Sequence, residues 1–321
     1  MEIGIIGTGH VGAATAYVLA VTGSATKIVL VNRTNSRAIA EATDISHALP
    51  IIGNCNVIAG DFDQLSNCDV IIITCGSTLK SAAVNDRLDL LSFNLQIYTQ
   101  IISTVEQIAP NAVLLIVSNP VDVLANITSK ISKFPARHVI SSGTLLDTVR
   151  FQTVIGEYFK VPATAVDANI WGEHGDSQVA IWSNAKIFGE KIEGFAKSTS
   201  VNFNEKTKLM LEKQTRSSAA KIVAGKQATY YGIAGSIAKI CRAMATNTPT
   251  LLNISTFHEN FCGIENVFIS SPTIVHGKSF NNSLNIDVSE KEFLTLKESA
   301  QIIKRNTQRA IELYKSLPSA I

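Results

Sequence analysis

The segment Gly7-Thr8-Gly9-His10-Val11-Gly12 constrains this chain more than any other, because it follows an apolar run, Ile3 to Ile6, and opens a stretch of helical character from Val11 to Val21. A glycine-rich match is weak alone. Between a strand and a helix it has a physical purpose. The first glycine permits a tight turn, the second lets main chain approach a pyrophosphate, and the third lets helix pack close to strand. Gly7, Gly9, His10, Val11 and Gly12 are therefore candidate dinucleotide-binding residues.

The alternation that begins there continues. Ile28-Val31, Val70-Thr74 and Val113-Val117 read as further buried parallel strands, with Ala38-His47 and Asp86-Ile108 as intervening helices. Continuous apolar runs spaced by helices imply βαβ crossovers, so the first half predicts a Rossmann-type, doubly wound parallel α/β sheet. The second half differs. It predicts a helix over Thr144-Phe159, short strands near Ala165-Ile170 and Val179-Trp182, a long helical stretch from about Asn204 to Ala245, and a closing helix over Glu290-Leu317 bounded by Pro318. That mixture reads as a C-terminal α+β substrate domain. A length of 321 residues suits two cores. The expected division is 1–143 and 144–321, a tight junction near Gly143 with no Pro-rich linker.

Composition narrows the partners. A formal net charge of +2 with 17% charged residues gives no electrostatic footprint for nucleic acid or an anionic membrane. Five scattered cysteines without a CxxC pair argue against a disulfide framework and a zinc knuckle, so no metal is expected and a reducing cytoplasm is the simplest setting. Met1-Glu2 leads straight into a strand pattern without a basic leader region, and no window approaches the ~20 apolar residues of a membrane span.

About 20 residues beyond the last glycine, where an NAD-specific fold places an acid on the ribose 2′-hydroxyl, this chain has Asn32, followed by Arg33, Thr34 and Arg37. Loss of the carboxylate removes repulsion toward a 2′-phosphate, and Arg33 and Arg37 each carry a planar fork of donors that could contact one. The same residues read equally as a solvated basic turn beside an NAD site. The cofactor expectation is therefore NAD or NADP, with Asn32, Arg33 and Arg37 as the discriminating residues.

Six ordered segments carry a resemblance that covers nearly the whole chain: GTGHVG, NDRLDL at Asn85-Leu90, SNPVD at Ser118-Asp122, GTLLDTVR at Gly143-Arg150, GEHGDS at Gly172-Ser177 and ATYYGIA at Ala228-Ala234. Together they resemble the L-lactate and malate dehydrogenase superfamily, most of all its bacterial L-lactate and L-2-hydroxyisocaproate dehydrogenases. The resemblance implies hydride transfer between a nicotinamide dinucleotide and a small 2-hydroxy or 2-oxo acid, and a homodimer or homotetramer.

It also assigns roles. Reducing a 2-oxo acid needs a proton for the carbonyl oxygen and a cation for the carboxylate. His174 is the implied proton donor, paired with Asp147, which fixes its tautomer and favours imidazolium. For this proton-donating role His10, His47, His138, His258 and His276 read as structural. Arg150 is the implied carboxylate clamp, since guanidinium geometry fits two carboxylate oxygens; three residues from Asp147, it could also form a mere local ion pair. Arg87, after the small polar stretch Gly76 to Asp86, is the implied electrostatic partner of the substrate carbonyl, carried on a mobile lid. Asn119, before a cis Pro120, would orient that carbonyl beside the cofactor, and Thr229 would line the substrate pocket.

Two departures from the family pattern bear on substrate and regulation. The loop from Gly76 to Arg87 is longer, with Ser81-Ala82-Ala83-Val84 in place of its usual sequence, and no arginine precedes Arg87 to take a second carboxylate, although Lys80 could partly substitute. Malate is thus the alternative behind lactate or a bulkier apolar analogue. Gln152 and Asp167 stand where sugar-bisphosphate-activated relatives carry an arginine and a histidine, so that activation is expected to be absent. Rival classes on the same architecture are NAD-dependent glycosidases, which need a metal-binding cysteine and histidine, and nucleotide-binding proteins without catalysis.

Overall fold

The computed structural model describes residues 1–76, 87–284 and 287–316, the backbone alone over 87–93. The loop expected to form a lid, with Lys80 and Val84, lies outside the described residues, as do Leu317 and Pro318.

Strands β1 (Glu2–Ile6), β2 (Lys27–Val31), β3 (Asn56–Ala59), β4 (Val70–Ile73), β5 (Val113–Ile116) and β6 (Val139–Ser141) form a parallel sheet in the order β3-β2-β1-β4-β5-β6. The crossovers run through α1 (His10–Val21), α2 (Asn35–Ile52), α3 (Arg87–Ile108) and α4 (Val121–Ile131). Both faces are covered, which is why the strands read as unbroken apolar runs: Ile3, Ile5, Ile71 and Ile72 are all fully buried. The doubly wound expectation holds, and the order reverses between β1 and β4, placing the carboxyl ends of both strands at the crevice where such sheets bind ligands.

After α5 (Leu145–Phe159) come β7 (Val166–Trp171), β8 (Val179–Ile187) and β9 (Glu190–Lys191), a small antiparallel sheet with its own apolar cluster around Phe151, Trp182 and Leu211. Helix α6 (Ile192–Ser198) follows. The stretch expected as one helix from about Asn204 to Ala245 is two, α7 (Glu205–Lys226) and α8 (Tyr231–Ala245). Gln227 stops α7 in the left-handed region at φ 69°, its N–H capping Val223 O.

Strands β10 (Thr250–Phe261), β11 (Ile264–His276) and β12 (Ser279–Asn281), which hydrophobic periodicity does not reveal, then extend the large sheet to nine strands among the described residues, with β10 antiparallel to β6 at Ser255 and Ser141. Their hairpin turns through Cys262 and Gly263, both at positive φ (52° and 80°), the backbone twist a two-residue loop requires. By covering the β6 edge it also removes a row of unpaired backbone groups. Helix α9 (Glu290–Ser316) closes the chain against α4 and β11. No described helix is long and apolar enough to cross a membrane.

Candidate active site

At the glycine loop, the three glycines have three separate reasons. Gly7 sits at φ +101°, a region that L side chains rarely adopt. A Cβ on Gly12 would lie 1.9 Å from Gly7 O, so only hydrogen lets α1 approach the loop. A Cβ on Gly9 would meet nothing within 4 Å among the described residues. Toward those residues Gly9 is therefore bare, facing open space rather than protein. It is also the N-cap of α1, whose first turn has neither a capping side chain nor a carboxylate, leaving the positive end of the helix dipole for an anion. Beside it the Thr8 hydroxyl is buried without a partner among the described residues. An open glycine, an uncapped helix end and an orphaned hydroxyl fit a dinucleotide.

Asn32 is bound into this loop at both ends of its amide: its Oδ1 accepts from Thr8 N–H at 3.3 Å and its Nδ2 donates to Thr34 O at 3.1 Å. Arg33 is exposed and has no ion-pair partner among the described residues, whereas Arg37 leans toward Glu41 at 3.9 Å. His10 stacks on Tyr230 at 5.3 Å, which brings the break between α7 and α8, and Thr229 within it, beside the glycine loop.

His174 lies on the turn between β7 and β8, and the chain anchors three successive residues of that turn from three elements. Gly172, at φ +92°, exchanges both backbone hydrogen bonds with Ser270 of β11 (3.0 and 3.2 Å). Glu173 N–H donates to Ser299 Oγ of α9 at 2.9 Å, and His174 N–H donates to Asp122 Oδ2 of α4 at 2.7 Å. Imidazole Nδ1 then donates to Asp147 Oδ2 at 2.6 Å, while Asp147 Oδ1 accepts from Arg150 at 3.1 Å. The local ion pair between Asp147 and Arg150 thus does form. It coexists with the histidine contact because each carboxylate oxygen serves one partner.

Electrostatics follow from burial. Asp147 is 4% exposed. Burial alone would raise its pKa, but the charge and hydrogen bond of His174, then those of Arg150, hold it below the usual carboxylate range. For His174 burial pulls the pKa down, and Asp147, by charge and hydrogen bond, with Asp122 behind it, more than reverses this, leaving imidazolium favoured. Arg150 spends one nitrogen on Asp147, and its side chain stays 13% exposed.

Not every expected residue joins this cluster. The Asn119-Pro120 peptide is cis and Asn119 is exposed at the end of β5, without a hydrogen bond among the described residues. Arg87 begins α3, and its side chain is outside the described residues. Asp122 is the residue that sequence reasoning passed over. It ends the SNPVD motif, and the available signal was a carboxylate in the first turn of an apolar helix. Among the described residues no group of three His, Cys, Asp or Glu could hold a metal ion.

Comparison with known proteins agrees in extent. The lactate/malate dehydrogenase NAD binding domain matches residues 1–141, and the lactate/malate dehydrogenase alpha/beta C-terminal domain matches residues 144–313. L-lactate dehydrogenase of Allorhizobium ampelinum is 38% identical over 95% of this chain and 97% of its own. That of Clostridium botulinum is 37% identical over 96% of both. Among solved structures, a lactate dehydrogenase from a Medee basin deep-sea metagenome library superposes with a TM-score of 0.92 at 30% identity, covering 97% of this chain and 98% of that one.

Proposed function

Since the chain belongs to the lactate/malate dehydrogenase family, we propose that it is an L-lactate dehydrogenase-like enzyme, moving a hydride between a nicotinamide dinucleotide and a small L-2-hydroxy or 2-oxo acid. The observation that carries this reading is the division of the Asp147 carboxylate, one oxygen on His174 and the other on Arg150.

That geometry couples proton donation to substrate binding. With Nδ1 held by Asp147, Nε2 is the nitrogen that can release a proton to the carbonyl oxygen. The dinucleotide, when bound, supplies the hydride for the carbonyl carbon. The products are the 2-hydroxy acid, the oxidised dinucleotide and a neutral imidazole that regains its proton from water. Arg150, fixed at one nitrogen, offers its remaining donors to the substrate carboxylate. Arg87 is proposed to polarise the carbonyl, Asn119 to orient it and Thr229 to line the pocket. The domain division at 143/144, cytoplasmic residence and a homodimer or homotetramer belong to the same proposal on the family resemblance.

For substrate, pyruvate or a slightly larger apolar 2-oxo acid is proposed over oxaloacetate, because no arginine precedes Arg87 in its loop. Specificity constants on pyruvate, 2-oxoisocaproate and oxaloacetate test this. Oxaloacetate is expected last, and oxaloacetate as the best substrate would make the chain a malate enzyme.

For the dinucleotide, NADP is proposed to be accepted at least comparably with NAD. Support comes from Arg33, which is exposed and has no ion-pair partner among the described residues, and from an Asn32 side chain committed to the loop rather than to a ribose hydroxyl. One charge-assisted hydrogen bond, roughly 1.5–3 kcal/mol, suffices for a tenfold shift in preference. The double substitution Asn32→Asp, Arg33→Ile is expected to move the NADPH/NADH ratio of kcat/KM toward NADH by about tenfold or more. An aspartate keeps the acceptor for Thr8 but repels a 2′-phosphate. Wild-type NADPH turnover orders of magnitude below NADH would leave Arg33 a surface residue beside an NAD site.

A further inference from the structure

We propose that Asp122 is a second positioning carboxylate for His174, acting through the backbone of the catalytic turn and locking it to the segment that carries Asn119. The inference rests on the reading of His174 as proton donor. Of the three anchors on the turn, two are uncharged, the backbone of Ser270 and the hydroxyl of Ser299, and the third is this buried carboxylate.

Its placement explains how two distant segments keep register. Asp122 stands in the first turn of α4, three positions after Asn119 across the cis Pro120, and is 2% exposed. Oδ2 accepts from His174 N–H at 2.7 Å, and Oδ1 accepts from Ser141 Oγ of β6 at 3.3 Å. Ser141 Oγ in turn accepts from Gly143 N–H at 3.3 Å, two residues before the helix that bears Asp147. One side chain thereby ties α4, β6 and the β7–β8 turn together at the point where Asn119, His174 and Asp147 must converge.

A neutral amide of the same shape could do that much, so the charge needs its own reason. Facing His174 are Asp147 and Arg150 from α5, Asp122 from α4, and Glu173 on its own turn; α9 brings the Ser299 hydroxyl to that turn, and β10 sets Ser255 beside Asp122. Asp122 thus adds a second negative charge behind an imidazolium whose ring already faces Asp147. Burial raises the Asp122 pKa to about 6, opposed by the His174 N–H and the His174 charge, so the carboxylate is ionised at neutral pH.

The test is Asp122→Asn, which keeps an oxygen acceptor for His174 N–H and removes the charge. Reduction of a 2-oxo acid needs imidazolium and therefore falls as pH rises through the His174 pKa. Without the second carboxylate that pKa drops, so the alkaline limb of kcat/KM is expected to move toward lower pH by about one unit, with NADH affinity within twofold of wild type. Ser299→Ala, which removes a neutral anchor, is expected to lower kcat without moving the limb. Should Asp122→Asn fail to fold, Ser141→Ala strips a donor from the same carboxylate and is expected to shift the limb in the same direction by less. A limb that stays at the wild-type pH in the foldable variant overturns the inference and leaves the reading of His174 intact. A wild-type enzyme without any such limb overturns both.

Discussion

Replacing His174 by Asn is expected to lower kcat for 2-oxo acid reduction by ~10²–10⁴-fold, the range a positioned general acid contributes. An amide cannot release a proton at accessible pH. The glycine loop does not depend on the imidazole, so NADH affinity measured by fluorescence titration is expected to stay within about twofold of wild type. The pH profile gives the stricter reading. In the wild type, reduction is expected to decline as pH rises through the raised His174 pKa, and oxidation of the 2-hydroxy acid to rise over the same interval, since with His174 as proton carrier that direction needs neutral imidazole. Both limbs are expected to vanish in the variant. Turnover equal to wild type would remove His174 from the chemistry.

The second large effect is expected at the glycine loop, where adjacent glycines should fail differently. Gly12→Ala places a methyl group 1.9 Å from the Gly7 carbonyl oxygen, which Thr74 Oγ1 already holds at 2.7 Å, so neither neighbour can yield without moving α1 or the loop. Overpacking of that kind costs about 1–3 kcal/mol or more, expected as a Tm lowered by several degrees together with weakened dinucleotide binding. Gly9→Ala meets open space among the described residues, and Gly9 at φ −73° has a backbone that alanine adopts freely. Its Tm is expected to match wild type while dinucleotide affinity falls at least tenfold, because the methyl group stands where the pyrophosphate approaches. Calorimetry and titration on the two variants separate packing from binding. Loss of Tm in Gly9→Ala, or undiminished affinity, would contradict the assignment of this loop.

The legible part of the fold was the part whose physics is local. Strands such as Val70–Ile73 and Val113–Ile116 are buried on both faces and so appear as unbroken apolar runs. The hairpin of β10 and β11 is buried along its middle, but that interior includes Asn253, Ser255, Thr256, Ser270 and Thr273, which satisfy no apolar period. Its turn also uses Cys262 where an asparagine would have signalled a hairpin. The break after Lys226 had no proline and no glycine at the left-handed position, only Gln227. In the site, His174, Asp147 and Arg150 were readable through ordered motifs. Asp122 was not, because the partner that gives it meaning is 52 residues away, and spacing along a chain does not report such a contact.

Ser270 fixes an order of events in the making of this enzyme. Its backbone pairs with Gly172, and its hydroxyl accepts from Thr144 N–H at 2.9 Å across 126 residues of chain, so one residue of β11 holds both the turn bearing His174 and the start of the helix bearing Asp147 and Arg150. Each closes a long loop, whose entropy must be overcome before its contacts stabilise anything. During synthesis the glycine loop leaves the ribosome well before β11, so a nascent chain has all three groups of the proposed proton-transfer site before it has the strand that aligns them. Competence for chemistry is expected to arrive late, with the docking of the hairpin, and a chain that has not completed its sheet is expected to lack the alignment to turn over substrate.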